Sequence, residues 1–477
     1  MKNNYGYIRI TCITPQLKLG NVKRNADEII KASAKASAEG CDIVLFPELA
    51  LTGYTCADLF QQSILYKSAS SELLRIAEET SRIESLIVFG IPVQTSGRMY
   101  NCAAVLFKGR IIGMVPKTYI PNYNEFYEAR WFSSGADSVT ESIVLGGKYV
   151  PFGCDLLFRT GSDGSSTIGI ELCEDMWAPL TPSTKMSLAG ADVILNLSAS
   201  NELAGKADYR RELISKLSGQ QLSVYAYCSS GVFESSTDTV YGGHRIIAEN
   251  GHIFSEGGRF SRVESSITAD ADTNFIMHER INNKTFSDCT SIELVRSPSG
   301  RTYRLVDIEE DNSEEHLNGI NRNSELTPEN LIRYVDDRPF VPSAEGLREA
   351  RCEEIFSIQS AGLASRLHHI GFSDVVIGLS GGLDSTLALL VCIEAFKSLE
   401  LPFSGIHCIT MPGFGTSSRT RSNVELLCGS LDLKIETISI ADASRQHFKD
   451  IGHDESQQDV TYENTQARER TQILMDK

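Results

Sequence analysis

The amino-acid sequence predicts an α/β protein with two structured regions, and three observations carry that prediction. Short apolar runs alternate with helix-like stretches from the start of the chain to about residue 275, and the alternation returns from about residue 342. Residues 276–341 break the pattern and include the acidic string DIEEDNSEEHLNGINRNSELTPEN. Alternating strands and helices are typical of layered α/β folds. We therefore expect domains over 1–275 and 342–477, with 276–341 as a connecting segment or, alternatively, a solvated insertion.

The spacing of apolar residues places the individual elements. In the first region it predicts one helix, Asn21–Glu39, and a series of strands: Tyr7–Thr14, Asp42–Phe46, Ser85–Pro92, Ala103–Lys108, Thr167–Leu172 and Asp192–Asn196. In the second region it predicts helices at Glu349–His369 and Ser385–Lys397 and strands at Asp374–Leu379 and Ser404–Thr410.

Composition and charge exclude several classes of protein. The 477 residues include 45 Lys plus Arg and 62 Asp plus Glu, a formal charge of -17, which argues against nucleic-acid binding by a basic surface. The N-terminus has no apolar signal region and no run reaches the length of a membrane span. Twelve cysteines without a CxxC pair fit free thiols rather than disulfides or a zinc site. We expect a cytoplasmic protein with no nucleic-acid or membrane partner.

Three polar residues each follow a predicted strand in the first region. Glu48 stands in FPELALTGY, Lys117 in VPKTYIPNYNEFYEARWF and Cys173 in IGIELCEDMW. At the C-terminal ends of strands they can converge on one edge of a sheet. A cysteine can attack an amide or nitrile carbon, a carboxylate can take its proton, and an ammonium can stabilise the oxyanion. Taken singly, however, such residues are usually a solvated strand end, a surface lysine and a core cysteine.

These strings resemble the carbon–nitrogen hydrolase (nitrilase) superfamily over about 260 residues. The resemblance implies an αββα sandwich. It makes Glu48 the general base, Lys117 the oxyanion partner and Cys173 the nucleophile. Glu128, in YEARW, matches the second glutamate of that family, which orients the lysine.

Two strings, NYNEFYEARWF and NLSASNELAGK, resemble a glutaminase branch more narrowly. By position they assign glutamine contacts to Tyr123, Ser200 and Lys206. The branch often has proline where this chain has Asn201, a departure expected to be without consequence. Whether Tyr54, near Glu48, lines the glutamine pocket or only packs stays open.

The sequence also makes a prediction about thiol reactivity. Cys173 is assigned a neighbouring cation and the start of a helix, two features that lower a thiol pKa. We therefore expect Cys173 to be the cysteine with the lowered pKa and the fastest alkylation.

The string VVIGLSGGLDSTLALLV predicts a strand, a glycine-containing turn and an apolar helix. Backbone N–H groups of such a turn can wrap a phosphate. The candidate ATP-binding residues are Gly378, Leu379, Ser380, Gly381, Gly382, Leu383, Asp384 and Ser385. Asp384 would repel phosphate unless it holds Mg²⁺. The Walker A pattern is absent, and a plain structural turn is the alternative.

SGGLDS after an apolar strand resembles the pyrophosphate loop of the ATP pyrophosphatases. This implies an adenine nucleotide alpha hydrolase-like, doubly wound parallel sheet, of which 342–477 can form only part. Three further strings are similar to NAD synthetases: PFVP (Pro339–Pro342), TMPGFGTSSRTRSN (Thr410–Asn423) and DVTYENTQARERTQILM (Asp459–Met475). By resemblance Asn464 touches deamido-NAD, and ATP with Mg²⁺, without a prosthetic group, supports the reaction.

Together the two regions resemble glutamine-dependent NAD synthetases. The implied partners are glutamine, ATP and deamido-NAD, and a homo-oligomer is expected. Alternatives are another ATP-dependent amidotransferase, a stand-alone amidase with a vestigial nucleotide-binding module, and a non-enzymatic scaffold. Family members continue for roughly two hundred residues beyond the helical pattern ARERTQILMDK, so we expect a complete glutaminase site and an incomplete synthetase site.

Overall fold

The computed structural model describes residues 6–160, 166–292, 296–308, 330–341, 345–415 and 418–477. The chain divides into two compact units, residues 1–335 and 336–477. Three parts of the predicted segments lie outside the described residues: most of the acidic string, Pro342 of PFVP, and Thr416 with Ser417 of the 410–423 string.

The first unit consists of fifteen named strands and six α-helices within its described part. The strands are β1 (Tyr7–Thr14), β2 (Ile43–Leu45), β3 (Leu86–Thr95), β4 (Arg98–Phe107), β5 (Arg110–Pro116), β6 (Ser142–Leu145), β7 (Lys148–Pro151), β8 (Leu156–Thr160), β9 (Ser166–Leu172), β10 (Val193–Ser198), β11 (Val224–Ser229), β12 (Arg245–Glu249), β13 (His252–Gly257), β14 (Ser265–Asp272) and β15 (Arg304–Asp307). The helices are α1 (Val22–Ala38), α2 (Ser63–Glu79), α3 (Pro182–Leu188), α4 (Lys206–Gln220), α5 (Thr273–Asn282) and α6 (Lys284–Ile292).

Two mixed sheets form the centre of this unit. One has the order β14-β1-β2-β3-β4-β5 and the other β13-β12-β11-β10-β9-β8-β15. Strands β2 and β3 are parallel, and the β3–β4 and β4–β5 pairs are antiparallel, so β5 runs in the same direction as β2. In the second sheet β9, β10 and β11 are parallel. The C-terminal ends of β2 and β5 therefore share one edge of the first sheet.

Apolar side chains explain the layering. Alternate residues of the strands, such as Ile8, Ile10 and Cys12 on β1, pack between the two sheets. The outer face of the first sheet is covered by α1 and α2, and that of the second by α3 and α4. The αββα sandwich implied by the family resemblance is confirmed.

The predicted connecting segment contributes structure to the first unit. Strand β15 pairs in parallel with β8. Two ion pairs fix this pairing, Arg304 with Asp155 at 2.6 Å and Arg159 with Asp307 at 2.6 Å. The residues 304–307 thus extend the second sheet, which polarity alone did not predict.

The second unit has a three-stranded parallel sheet in the order β16-β17-β18. Its elements are α7 (Glu345–Ile370), β16 (Val375–Gly378), α8 (Leu383–Ser398), β17 (Ile406–Thr410), α9 (Ser418–Ser430), β18 (Ile435–Thr437), α10 (Ala441–Ile451) and α11 (Val460–Asp476). Residues of α7, α8 and α9 pack on one face of the sheet and residues of α11 on the other. Helices on both faces are typical of a doubly wound fold.

Candidate active site

The three polar residues predicted at strand ends do meet, but across two sheets. Glu48 lies three residues beyond β2, and Lys117 directly follows β5 on the same edge of the first sheet. Cys173 directly follows β9, which belongs to the second sheet. The expectation that they share one edge of one sheet is therefore wrong. The face-to-face packing of the two sheets brings their ends together.

A buried ion triad forms the centre of the site. The ammonium of Lys117 donates to Glu48 Oε1 at 2.7 Å and to Glu128 Oε1 and Oε2 at 2.7 and 3.0 Å. The side chains of Lys117 and Glu48 are 0% exposed and that of Glu128 is 1% exposed. A lysine clamped by two carboxylates in a dry site has one orientation.

The position of Glu48 is fixed from several sides. Its Oε1 also accepts from Asn101 Nδ2 at 2.7 Å, and its Oε2 accepts from the backbone N–H of Ala199 at 2.8 Å. A Cβ on Gly90 would lie 1.9 Å from the backbone nitrogen of Leu49, so only glycine permits this close approach to β3. The Glu48 loop is thus held against both sheets.

Cys173 begins a short 3-10 turn, Cys173–Met176, with φ of +44° at the cysteine. This left-handed conformation is uncommon for a non-glycine residue and is often found at functional sites. The buried carboxylate of Asp175 accepts from the N–H of Leu172 at 3.0 Å and from that of Tyr119 at 2.8 Å. One side chain therefore links the chain before Cys173 to the chain after Lys117.

Burial and charge set the protonation of the site. Burial raises the pKa of Glu48, although Lys117 opposes that shift. Burial alone would lower the pKa of Lys117, but Glu128 and Glu48 outweigh it and hold that pKa well above its usual value. Burial, followed by the Glu48 carboxylate, raises the pKa of the Cys173 thiol. The lysine is charged and the thiol carries its proton at rest.

The prediction of a lowered Cys173 pKa is therefore wrong. The cation and the turn could be predicted from the sequence. The desolvation of the thiol and the two neighbouring carboxylates could not, and both raise the pKa of Cys173. The residue is only 6% exposed, whereas Cys289 and Cys352 are exposed. Fast alkylation is expected at these two surface cysteines and not at Cys173.

A cleft with a volume of about 210 Å³ opens beside Glu128. Its lining residues include Tyr54, Phe126, Trp131 and Tyr241. The hydroxyl of Tyr54 donates to Glu128 Oε1 at 2.7 Å. Tyr54 therefore both lines a cleft and bonds a member of the ion triad, so it does more than pack.

The three predicted glutamine contacts occupy different settings. Tyr123 is 50% exposed and donates to Glu174 Oε1 at 2.8 Å. Ser200 is buried, and its Oγ accepts from Arg210 at 3.3 Å. Lys206, the first residue of α4, donates to Asn201 Oδ1 at 2.5 Å. Asn201 was expected to be inconsequential, yet its side chain bonds this predicted substrate residue.

Sequence reasoning missed several residues of the site. Asn101 bonds Glu48 of the triad, Asp175 accepts from the backbone N–H of Tyr119, two residues after Lys117, and Glu174 bonds Tyr123. Glu234 accepts from the backbone N–H of Tyr54 at 2.9 Å and so holds the tyrosine loop. Glu174 and Asp175 stand beside Cys173 in CEDMW, a cluster that could have flagged them. Asn101 and Glu234 are distant in sequence, and no local pattern marked them.

In the second unit the predicted loop joins β16 to α8 as expected. Gly381 has a φ of +81°, and Gly382, which has no side chain of its own to bond the first N–H groups of the helix, is the N-cap of α8. Ser385 Oγ donates to Gly382 O at 3.1 Å, and Ser380 Oγ accepts from the N–H of Gly382 at 3.3 Å. The first N–H groups of a helix have no intrahelical partner. The turn therefore presents an exposed N-terminus suited to an anion.

The remaining predicted residues of the ATP loop lie in or beside this turn, and the predicted deamido-NAD contact lies on α11. Gly378 ends β16, Leu379 is buried, Leu383 starts α8 and Asp384 lies in its first turn. In the described part of the chain no group of three or more His, Cys, Asp or Glu could hold a metal ion. A single carboxylate still fits Mg²⁺, which usually takes one or two carboxylates and phosphate oxygens. Asn464 is exposed on α11.

Each of the two regions matches a known family. Residues 9–275 match the carbon-nitrogen hydrolase family and residues 355–477 match the NAD synthase family. No helix among the described residues is both long and apolar enough for a membrane span.

Related proteins match nearly the whole chain. A glutamine-dependent NAD(+) synthetase from Mycobacterium leprae is 35% identical over 480 residues, covering 99% of this chain and 68% of the relative. One from Thermotoga maritima is 26% identical, covering 98% and 72%. The crystal structure of a glutamine-dependent NAD(+) synthetase from Cytophaga hutchinsonii, 21% identical, has a TM-score of 0.50 and the same coverage as the Thermotoga protein, which supports the fold.

Proposed function

Because this chain belongs to the glutamine-dependent NAD(+) synthetases, we propose that it releases ammonia from glutamine in the first unit for the amidation of deamido-NAD in the second. The buried Glu48–Lys117–Glu128 triad beside Cys173 is the observation that carries the first half of the proposal. The family match over 355–477 favours NAD synthesis over another amidotransferase or a vestigial module.

The geometry supports a thioester route. The Cys173 thiol attacks the glutamine amide carbon while its proton passes to Glu48. The oxyanion that forms is stabilised by the ammonium of Lys117, which Glu128 holds in place. Glu48 returns the proton as the carbon–nitrogen bond breaks and ammonia leaves. Water, deprotonated by Glu48, then hydrolyses the thioester to glutamate and restores the thiol.

Tyr123, Ser200 and Lys206 are proposed to bind glutamine. The buried hydroxyl of Ser200 and the ammonium of Lys206 could bind its carboxylate. Burial lowers the pKa of Lys206, yet a lysine keeps its charge more readily when a substrate carboxylate approaches. Glu174 offers an acceptor for an α-ammonium group.

In the second unit, the turn 380–385 is proposed to bind the phosphates of ATP, with Gly378, Leu379 and Leu383 completing the loop. Asp384 would hold Mg²⁺ together with phosphate oxygens, and the cation would neutralise charge on the leaving pyrophosphate. Asn464 is proposed to contact deamido-NAD. The nicotinate carboxylate of deamido-NAD attacks the α-phosphorus of ATP and pyrophosphate leaves, and ammonia then displaces AMP from the adenylated carboxylate.

Ammonia release from glutamine tests the first half of the proposal. We expect the chain to release ammonia and Cys173→Ala to release none, while Cys12→Ala, a buried cysteine away from the triad, keeps the activity. ATP and deamido-NAD are added in parallel, and NAD and AMP are measured. Equal ammonia release by the chain and by Cys173→Ala would contradict the assigned nucleophile.

A further inference from the structure

Asn101 on β4 contacts all three residues of the ion triad. Its Nδ2 donates to Glu48 Oε1 at 2.7 Å and lies 3.5 Å from Glu128 Oε2. Its backbone oxygen accepts from the N–H of Lys117 at 2.8 Å. The residue is completely buried. We propose that Asn101 is a positioning residue with two effects on Glu48. It keeps the carboxylate ionised, and by occupying Oε1 it leaves Oε2 as the oxygen that takes the proton of the Cys173 thiol. This inference rests on the proposed glutaminase function.

The orientation of the Asn101 amide supports this role. Its N–H₂ group faces both carboxylates, while its Oδ1 has no hydrogen-bond partner among the described residues. A buried acceptor without a donor is costly. The reverse orientation would point the amide oxygen at two carboxylates and would replace attraction with repulsion. The carboxylates therefore determine how the amide is placed.

The distribution of donors over Glu48 identifies the base oxygen. Oε1 accepts from both Lys117 Nζ and Asn101 Nδ2, whereas within the described part of the chain Oε2 accepts only from the N–H of Ala199. A carboxylate oxygen has two lone-pair positions. Oε1 is therefore saturated, and Oε2 keeps one position free for the proton of the Cys173 thiol.

Removal of the amide should change the pH dependence of the reaction. The Asn101 hydrogen bond favours the ionised form of Glu48 and opposes the rise in its pKa that burial causes. Without that bond, Glu48 stays protonated to a higher pH. The acid limb of a kcat/KM profile must then move to higher pH, which loss of packing alone would not produce.

The experiment measures kcat and KM for glutamine from pH 5 to 9 in the full chain and three variants. Asn101→Ala is expected to lower kcat at neutral pH about tenfold with little change in KM, and to move the acid limb upward. Asn101→Asp is expected to lose more activity at neutral pH and to recover relative to the parent as the pH falls. The introduced carboxyl group then becomes protonated and can donate to Glu48.

Asn25→Ala is the matched control, because it removes an equally buried amide whose partners among the described residues are backbone groups of Lys18 and Leu51. It should lower stability without displacing the pH profile. An unchanged profile in a folded Asn101→Ala variant would overturn the proposal. So would failure of both Asn101 variants to fold while Asn25→Ala folds, because Asn101 would then have a structural role.

A second measurement separates this inference from the proposed function. If the parent chain hydrolyses no glutamine, the proposed function fails, but the rate of Cys173 alkylation by iodoacetamide still reports proton transfer from the thiol. Mass spectrometry of the Cys173 peptide gives that rate across the same pH range. A displaced alkylation profile in Asn101→Ala supports the positioning role, and an unchanged one rejects it.

Discussion

The two units place their candidate sites in opposite environments. In the first unit, Glu48, Lys117 and Glu128 are charged side chains with almost no exposure, each bonded to several partners. In the second unit, the turn 380–385 is exposed, and its recognition groups are mostly backbone N–H groups and hydroxyls. The charges of the first site are buried side chains of the protein. At the second site, under the proposed function, most of the charge would belong to the ligand.

This difference predicts how each site responds to substitution. Buried ions cost several kcal/mol each in desolvation and persist only when their geometry is fully satisfied. Such a site is preorganised, and its chemistry depends on every partner. An exposed glycine turn costs little to maintain, and under the proposed function its affinity would come from the phosphates and the cation of the ligand. Substitutions should therefore harm stability and activity together in the first unit but mainly binding in the second.

Lys117→Met should have the largest effect. It leaves two buried carboxylates without a cation, so we expect glutamine hydrolysis to fall by at least about 10³-fold and the free energy of unfolding to fall by about 3–5 kcal/mol. Urea unfolding and ammonia release measure the two effects. Adding Glu128→Gln should restore part of the stability but none of the activity. Wild-type stability of the single variant would contradict the buried triad.

Gly381→Ala tests the opposite behaviour in the second unit. The φ of +81° at this position disfavours any side chain, so we expect ATP to bind about tenfold more weakly in the presence of Mg²⁺. Titration calorimetry measures the affinity, and glutamine hydrolysis should not change. Gly362→Ala, at an exposed position in α7 with open space around it, is the control. Equal ATP affinity in both variants would argue against a phosphate site at this turn.

Tyr54→Phe should have a smaller effect in the first unit. It removes the hydroxyl that donates to Glu128 and leaves the ring in place. We expect kcat for glutamine to fall about three- to tenfold, with a loss of stability of about 1–2 kcal/mol. Tyr100→Phe, a buried ring packed on Phe152, should keep the parental kcat. A parental kcat in Tyr54→Phe would show that Lys117 does not need this bond.

The smallest expected effect is a difference in pH dependence between the units. Burial raises the pKa of Asp192 to about 6, so its contribution to stability is present below its unfolded pKa and is lost as the pH rises through about 6. In the second unit, the N–H of Tyr462 lowers the pKa of Asp459. That contribution is present above the unfolded pKa and is lost as the pH falls.

Urea midpoints from pH 3 to 8 measure these opposite slopes. Asp192→Asn should flatten the decline of the first unit between pH 4 and 7, and Asp459→Asn should flatten the acid loss of the second. The change at Asp459 should be slight because the residue is exposed. A first unit that gains stability steadily from pH 4 to 7, and an unchanged slope in Asp192→Asn, would contradict the assignment.

The amino-acid sequence was enough to predict the α/β fold class and the strings that carry Glu48, Lys117, Cys173 and the SGGLDS turn. It also predicted eight of the eighteen named strands (β1–β4, β9, β10, β16 and β17) and three of the eleven α-helices (α1, α7 and α8) of the described part. These features are local. Apolar periodicity reports which face of an element is buried, and a glycine turn before a helix needs no distant partner. The family of each region followed from such strings, and comparison with known families agrees with it.

The relative positions of these parts became clear only from the folded structure. The packing of two sheets, and not one sheet edge, joins Glu48 to Cys173, and it brings in Asn101 from a strand that no motif marked. The same packing reversed the expected direction of the Cys173 pKa, because desolvation and neighbouring carboxylates depend on the whole surroundings of a thiol. The sequence shows which charged residues a site can contain. Their burial and their distances from one another depend on how distant parts of the chain pack in the folded protein.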